Sequence, residues 1–168
     1  MTQQGGAIEL EGLDTFLKAL ANCDRKVVAA ALDGLEAGGQ EIINDAIGNI
    51  RRDGLWTTGL LAQSGHCIRK GDDITAGFFD TTNKTGYAEF VEYGRRAGKM
   101  PPPDNLAAWA YKKHHLKDWK IANSLGWAIA RHIAAHGTQP HPFFNPAVKK
   151  NESKIVNAVR DAVRRVTK

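Results

Sequence analysis

The chain is short of the residues that most often betray chemistry. Its 168 residues include only two cysteines, two methionines and six prolines. Cys23 and Cys67 stand alone without Cys-x-x-Cys spacing, so no zinc ribbon or disulfide framework can be built, and free thiols in a reducing compartment are expected. His66 precedes Cys67, but neighbours on a strand point to opposite faces, which leaves this histidine badly placed to activate the thiol. No apolar run reaches the roughly 18 residues of a membrane-crossing helix. The opening "MTQQGGAIELEGL" has neither a basic nor an apolar leader stretch, so synthesis and assembly in a cytoplasm, with no membrane partner, are expected.

The signatures of catalysis are also missing. The glycines are scattered, without the lysine and Ser/Thr of a phosphate-binding loop. Neither a Gly-x-Ser-x-Gly elbow nor a His-Glu-x-x-His pair occurs. His132 and His136 are spaced to share a helical face and His141 follows, but no carboxylate lies between Asp118 and Glu152 to complete a metal set. Asp72-Asp73 falls in a turn, where acids are solvated. Glu89 and Glu92, three apart in an aromatic run, suit interface acids better than an acid–base pair. A non-enzyme without metal or cofactor is expected.

What the chain does have is a gradient of charge. The net of +5 hides 5 basic and 9 acidic residues over 1–53, against 7 basic and 2 acidic over 95–120 and the same ratio over 148–168. An acidic first half and a basic second half suit head-to-tail contacts between copies, or an oriented partner surface. Lys112, Lys113, Lys117 and Lys120 alternate with Trp109, Tyr111, Trp119 and His114-His115. This pattern fits nucleic-acid binding or a protein interface with aromatic anchors. No helix-turn-helix, zinc-finger or RNA-binding signature accompanies it.

The periodicities predict an α+β fold: a small, mostly antiparallel sheet packed against long N- and C-terminal helices. Ala7–Gly12 alternates apolar and acidic residues like an edge strand. Asp14 is placed to cap a short helix bearing Phe16, Leu17 and Leu20, and Asp24 to cap a second. Val28, Leu32, Leu35, Ile42, Ala46 and Ile50 then mark a long helix over 25–51. Gly38 and Gly39 in its middle predict a close approach to the sheet or a kink. Residues 66–80 read as a hairpin turning at Lys70-Gly71-Asp72-Asp73. Tyr87–Tyr93 reads as a short strand or helical turn ended by Gly94. After Pro101–Pro103, Asp104 is placed to cap a helix carrying Leu106, Trp109 and Ala110. A further helix over 123–136 shows Leu125, Ala128, Ile129, His132 and Ile133 on one face, with Gly137 as its stop. "TQPHPFFNPA" reads as a rigid extended connector. A last helix over 146–166 has Val148, Ile155, Val159, Val163 and Val166 along one stripe and a basic opposite face. The length of 168 residues fits one domain.

Three short motifs occur in order along this framework: Thr58-Gly59-Leu60, then Tyr87-Ala88 followed by Phe90-Val91-Glu92-Tyr93-Gly94, then Pro142-Phe143-Phe144 with Pro146-Ala147. Their order resembles the tail-completion, or head–tail joining, neck proteins of long-tailed double-stranded DNA bacteriophages. The resemblance runs from about Ile8 to Val166. Family members often carry an aspartate two residues before the glycine of the first motif. Here Trp56-Thr57-Thr58-Gly59 lacks it, and any capping falls to Thr57 or Thr58. Residues 95–139 are longer than the compact form of the family and read as a helical insertion within a single domain, 1–168.

The resemblance implies a structural virion protein of the neck. It implies a ring of identical subunits, a hexamer, that ends the tail tube and joins it to the head connector, adaptor or stopper. Its lumen would meet DNA without reading sequence. A head-completion adaptor or stopper is the neighbouring alternative, and a small basic DNA-binding protein the alternative outside the class. The residues expected at subunit or partner interfaces are Tyr87, Phe90, Glu92, Tyr93, Arg95, Arg96, Trp109, Lys112, Lys113, Trp119, Phe143 and Phe144, with Glu92 as an ionic contact to a neighbour.

Overall fold

A computed structural model describes residues 25–79 and 86–167. The expected strand at Ala7–Gly12 and the helix begun at Asp14 lie outside these residues, as do Cys23 and the Asp24 cap. Helix α1 (Arg25–Arg52) is followed by a single turn, α2 (Leu60–Gln63), and by strands β1 (Gly65–Lys70) and β2 (Asp73–Phe78). Then come α3 (Tyr87–Tyr93), α4 (Pro103–Lys113), α5 (Trp119–His136) and α6 (Phe144–Val166). Six helices and one two-stranded antiparallel sheet among the described residues make an α+β fold dominated by its helices.

The core forms around α1, which is packed from two sides. Leu32, Leu35, Ile42, Ile43, Ala46 and Ile50 are buried along it, the stripe that a 3.6-residue period lays down. On one side runs α6, antiparallel. Asn49 meets Phe143, Asp45 meets Asn151, and Glu41 meets Lys154 as one chain ascends and the other descends. The two helices approach closely because Gly34 and Gly38 have no side chain there. A Cβ on Gly34 would stand 2.9 Å from the Cα of Val159, and one on Gly38 2.7 Å from Ile155.

On the other side lies the β hairpin. Lys70 pairs with Asp73 across the turn, and Gly65 with Phe78 at the open end. Gly71 supplies the left-handed conformation that the two-residue turn requires, with φ of 64°. Cys67 faces α1 at Gly39, where a Cβ would come within 2.7 Å of its sulfur. The mid-helix glycines therefore mark two close approaches, one to the sheet as expected and one to a helix.

Helices α4 and α5 form a separate hairpin whose contact is made by small residues. Ala107 and Ala110 on α4 and Ala122, Gly126 and Ala130 on α5 are its buried positions. A Cβ on Gly126 would stand 2.6 Å from the nitrogen of Ala107. The hydropathy stripe expected for this helix is shifted: Leu125, Ile129 and Ile133 are half-buried, while Ala128 and His132 are exposed. Helix α5 also begins earlier than expected, because Asp118 caps it by accepting a hydrogen bond from Lys120 N at 2.8 Å.

The two ends of this hairpin meet. Arg95 and Thr138 exchange backbone hydrogen bonds of 3.1 and 2.8 Å, and Gly98 N donates to Ala134 O at 2.8 Å. A Cβ on Gly137 would run into the carbonyl of Arg95. The chain thus leaves at Gly94 and returns at Thr138 through one narrow stem.

Candidate partner interface

Helix α3 carries the motif Tyr87–Gly94; it packs Ala88 and Val91 against the core yet exposes its rings and buries a carboxylate. It starts after Gly86 and stops at Gly94, both with positive φ, at 59° and 72°. Tyr87, Phe90 and Tyr93, spaced three apart, form an exposed aromatic stripe, with Tyr93 58% accessible. Of its two acidic residues, Glu89 is exposed and Glu92 is 5% accessible. The reading of Tyr87–Tyr93 as strand or helical turn resolves to helix.

The burial of Glu92 has a clear cause. Its Oε2 accepts hydrogen bonds from the backbone N–H groups of Phe143 and Phe144, both at 2.8 Å, and its Oε1 accepts one from Asn145 N at 2.9 Å. These are donors at the N-terminus of α6 that have no partner within their own helix. A carboxylate placed there also sits favourably in the helix dipole. The expectation of Glu92 as an ionic contact to a neighbouring subunit is therefore corrected: this carboxylate is committed within the chain.

Phe143 and Phe144 are corrected with it. Both are core residues, with ring centroids 4.9 and 5.6 Å from that of Phe78 in edge-to-face contacts. "TQPHPFFNPA" is not extended throughout, because α6 begins at Phe144, two residues before the proline expected to open it.

Arg95 lies beside the exposed stripe, its guanidinium 5.5 Å from the Phe90 ring centroid, and it also donates to Lys99 O. Arg96 is exposed next to it. The remaining expected residues lie on the α4–α5 hairpin. Trp109 is half-buried against His114, with ring centroids 6.0 Å apart. Lys112, Lys113 and Trp119 are exposed near the hairpin tip. Lys113 Nζ donates to Gly54 O at 3.0 Å, which brings this tip to the turn after α1. There the Arg51 guanidinium stands 4.8 Å from the Trp56 ring centroid.

Trp56 was not among the residues expected at an interface, although it is exposed. The motif it precedes offered a signal. Gly59 adopts φ of 77°, and a Cβ there would stand 3.3 Å from the Trp56 ring. The hydroxyl of Thr58 accepts a hydrogen bond from Leu60 N at 3.4 Å, while Gly59 itself stands at the N-cap of the turn.

The basic face of α6 is partly spent. Lys150 pairs with Asp45 at 3.0 Å and Lys154 with Glu41 at 3.4 Å. Asp45 is held below its ordinary value of 3.8, first by the hydrogen bond from Asn151 and then by that from Lys150.

On β1, His66 is exposed and Cys67 faces α1. Burial pushes the Cys67 thiol up, with Glu36 adding to it. The His132 and His136 rings stack with centroids 4.4 Å apart, and His136 Nδ1 lies 3.1 Å from the carbonyl of His132. Among the described residues no group of three or more His, Cys, Asp or Glu could hold a metal ion. No helix among them is long and apolar enough to cross a membrane.

Residues 14–94 match the model of the HK97-gp10-like family, described as "Bacteriophage HK97-gp10, putative tail-component". No curated protein and no solved structure matches the chain significantly. The matched span contains two of the three motifs, and it ends at Gly94, the residue from which the α4–α5 hairpin departs. Over residues 14–94, just under half of its length, the chain is similar to the HK97-gp10-like family of bacteriophage tail components.

Proposed function

We propose that this chain is a tail-completion protein of the phage neck, a non-enzymatic subunit of a closed ring that ends the tail tube and joins it to the head. The observation that carries this reading is the exposed stripe of Tyr87, Phe90 and Tyr93 within the family-matched span. Aromatic side chains grouped on a surface are the usual anchors of a protein interface. On α3 they face outward while Glu92 is turned in, so the helix is built to be covered by a partner.

A ring of identical subunits repeats one heterologous interface until it closes, and each subunit needs two unlike patches. We take the α3 stripe with Arg95 as one of them. Residues 95–139 act as an insertion within a single domain, reaching neck partners such as the tail tube protein or the head connector. A basic surface turned to the channel would meet DNA through its phosphates.

Disruption of the gene in a phage that encodes it, followed by electron microscopy of the lysate, tests the reading. Filled heads beside unattached or overlong tails are expected, with rescue by the native chain but not by a Tyr87→Ser, Phe90→Ser, Tyr93→Ser variant that still folds. Normal virions would overturn it. Heads that have lost their DNA, with normal tails, would instead assign the chain to head completion.

A further inference from the structure

Much of the positive charge of the chain lies where no ion pair among the described residues takes it up. Five ion pairs occur among the described residues: Arg69 with Asp33 and with Glu36, Lys154 with Glu41, Lys150 with Asp45, and Arg52 with Asp53. The acids of α1 are thus neutralised at home. None of these pairs involves the α4–α5 hairpin. Residues 95–139 nevertheless carry eight basic side chains and two acidic ones. Of those two, Asp118 is occupied in capping α5, and Asp104 lies in the first turn of α4, far from the tip.

The tip gathers both charge and rings. Lys112, Lys113, Lys117 and Lys120 are all exposed there. Between them Tyr111 and Trp119 touch, with ring centroids 5.6 Å apart, and both are exposed, Trp119 to 53%. The bond from Lys113 to Gly54 adds a second segment, in which Arg51 lies over the exposed Trp56 ring. Residues some sixty positions apart in sequence therefore build one surface of cations interleaved with ring faces.

We propose that this composite surface binds single-stranded DNA, the lysines meeting phosphates and the rings of Trp119, Tyr111 and Trp56 stacking on unpaired bases. Lysines supply point charges that track a phosphate backbone, and exposed aromatic faces stack on bases without regard to sequence. A duplex has no use for those faces, since its bases are already stacked. The acids of α1 are already paired within the chain, so that helix offers little free charge to the tip of a second copy. The proposal goes beyond the neck reading, whose channel DNA is a duplex; the binding belongs to the single chain and does not require a closed ring.

The test is fluorescence anisotropy of the full chain with labelled oligo(dT) of about 20 nucleotides, a duplex of equal length, and polyglutamate as competitor. Micromolar binding of oligo(dT) at low salt is expected, weaker for the duplex, with log affinity falling by about 0.7 per phosphate neutralised for each decade of salt. Trp119→Ala should weaken oligo(dT) binding on the order of tenfold. The double change Lys112→Gln and Lys117→Gln should flatten the salt slope by about 1.4. Lys149→Gln with Arg164→Gln on α6 should leave both unchanged, and circular dichroism checks that every variant keeps its fold. Absence of oligo(dT) binding overturns the proposal. So does equal binding of the duplex that ignores Trp119→Ala, or displacement by polyglutamate as effective as by DNA, which would mark an acidic protein as the partner. None of these failures touches the tail-completion reading, which is judged on virion morphology.

Discussion

The carboxylate of Glu92 lies 2.8 Å from the backbone nitrogen of Phe144, across 52 residues of sequence. With the companion bonds to Phe143 and Asn145 it fastens the end of the family-matched span to the start of the last helix. Two motifs that are far apart in the chain are thus two halves of one contact.

Glu92→Ala should strand two buried N–H groups and a half-buried one. Each orphaned donor costs about 1–3 kcal/mol, so a loss of about 3 kcal/mol or more is expected in urea unfolding. Glu92→Gln keeps one carbonyl acceptor and should fall between the two. A loss below about 1 kcal/mol for the alanine variant would show that the bond set is not holding α6.

Gly39→Ala should change sign with its neighbour. In the native chain the new methyl would meet the Cys67 sulfur at 2.7 Å, and overpacking of this kind costs about 1–3 kcal/mol. In a Cys67→Ala background the next atom is the Ala76 Cβ at 3.4 Å, close to ordinary contact. There the helix preference of alanine over glycine, about 1 kcal/mol, should make the same change stabilising. Thermal unfolding of the four proteins in the cycle measures both signs.

Stability should respond to acid through Asp45. Its carboxyl is depressed in the folded chain by Asn151 and then Lys150, so it contributes stability above the unfolded value. That contribution is lost as pH falls below 3.8 and through the folded value. The Asp45→Asn variant should be less stable than the native chain at neutral pH and converge with it in acid. Parallel denaturation curves from pH about 6 down to about 2 would contradict this.

Excision of the α4–α5 hairpin should spare the core. Gly94 and Thr138 are adjacent at the stem, where a Cβ on Gly94 would stand 2.5 Å from the Thr138 carbonyl. Replacing residues 96–137 by a short glycine linker should leave a folded chain that retains the Glu92 contact, with a urea midpoint close to the native one. The variant should lose binding to oligo(dT). Collapse to an unfolded chain would show that the hairpin is part of the core.

The long elements were legible because their information is local. The stripe of α1 declares itself every three to four residues, and the β hairpin follows from two β-rich runs around Gly71. What could not be read depends on distant partners. Glu92 reads as an interface acid beside the aromatic residues of α3 until it is known to be claimed by N–H groups some fifty residues away. The early start of α6 has the same cause. In α5, hydropathy favours Leu125 and Ile129, while the close approach at Gly126 makes the small residues the buried ones. The exposed tip of α4–α5 was visible as composition, but its union with Arg51 and Trp56 depends on the fold.

The glycines of α1 also decide how the molecule can move. Val159 and Ile155 sit in the gaps left by Gly34 and Gly38. Sliding α6 by one helical turn, about 5.4 Å, would lift those side chains out of their gaps and onto neighbouring residues that have side chains of their own. Shear along this pair is therefore closed off, and α1 and α6 travel as one rigid lever. The α4–α5 arm is fastened to this lever at both ends, by the Arg95–Thr138 stem and by the bond from Lys113 to Gly54, so load taken at its tip passes into the body.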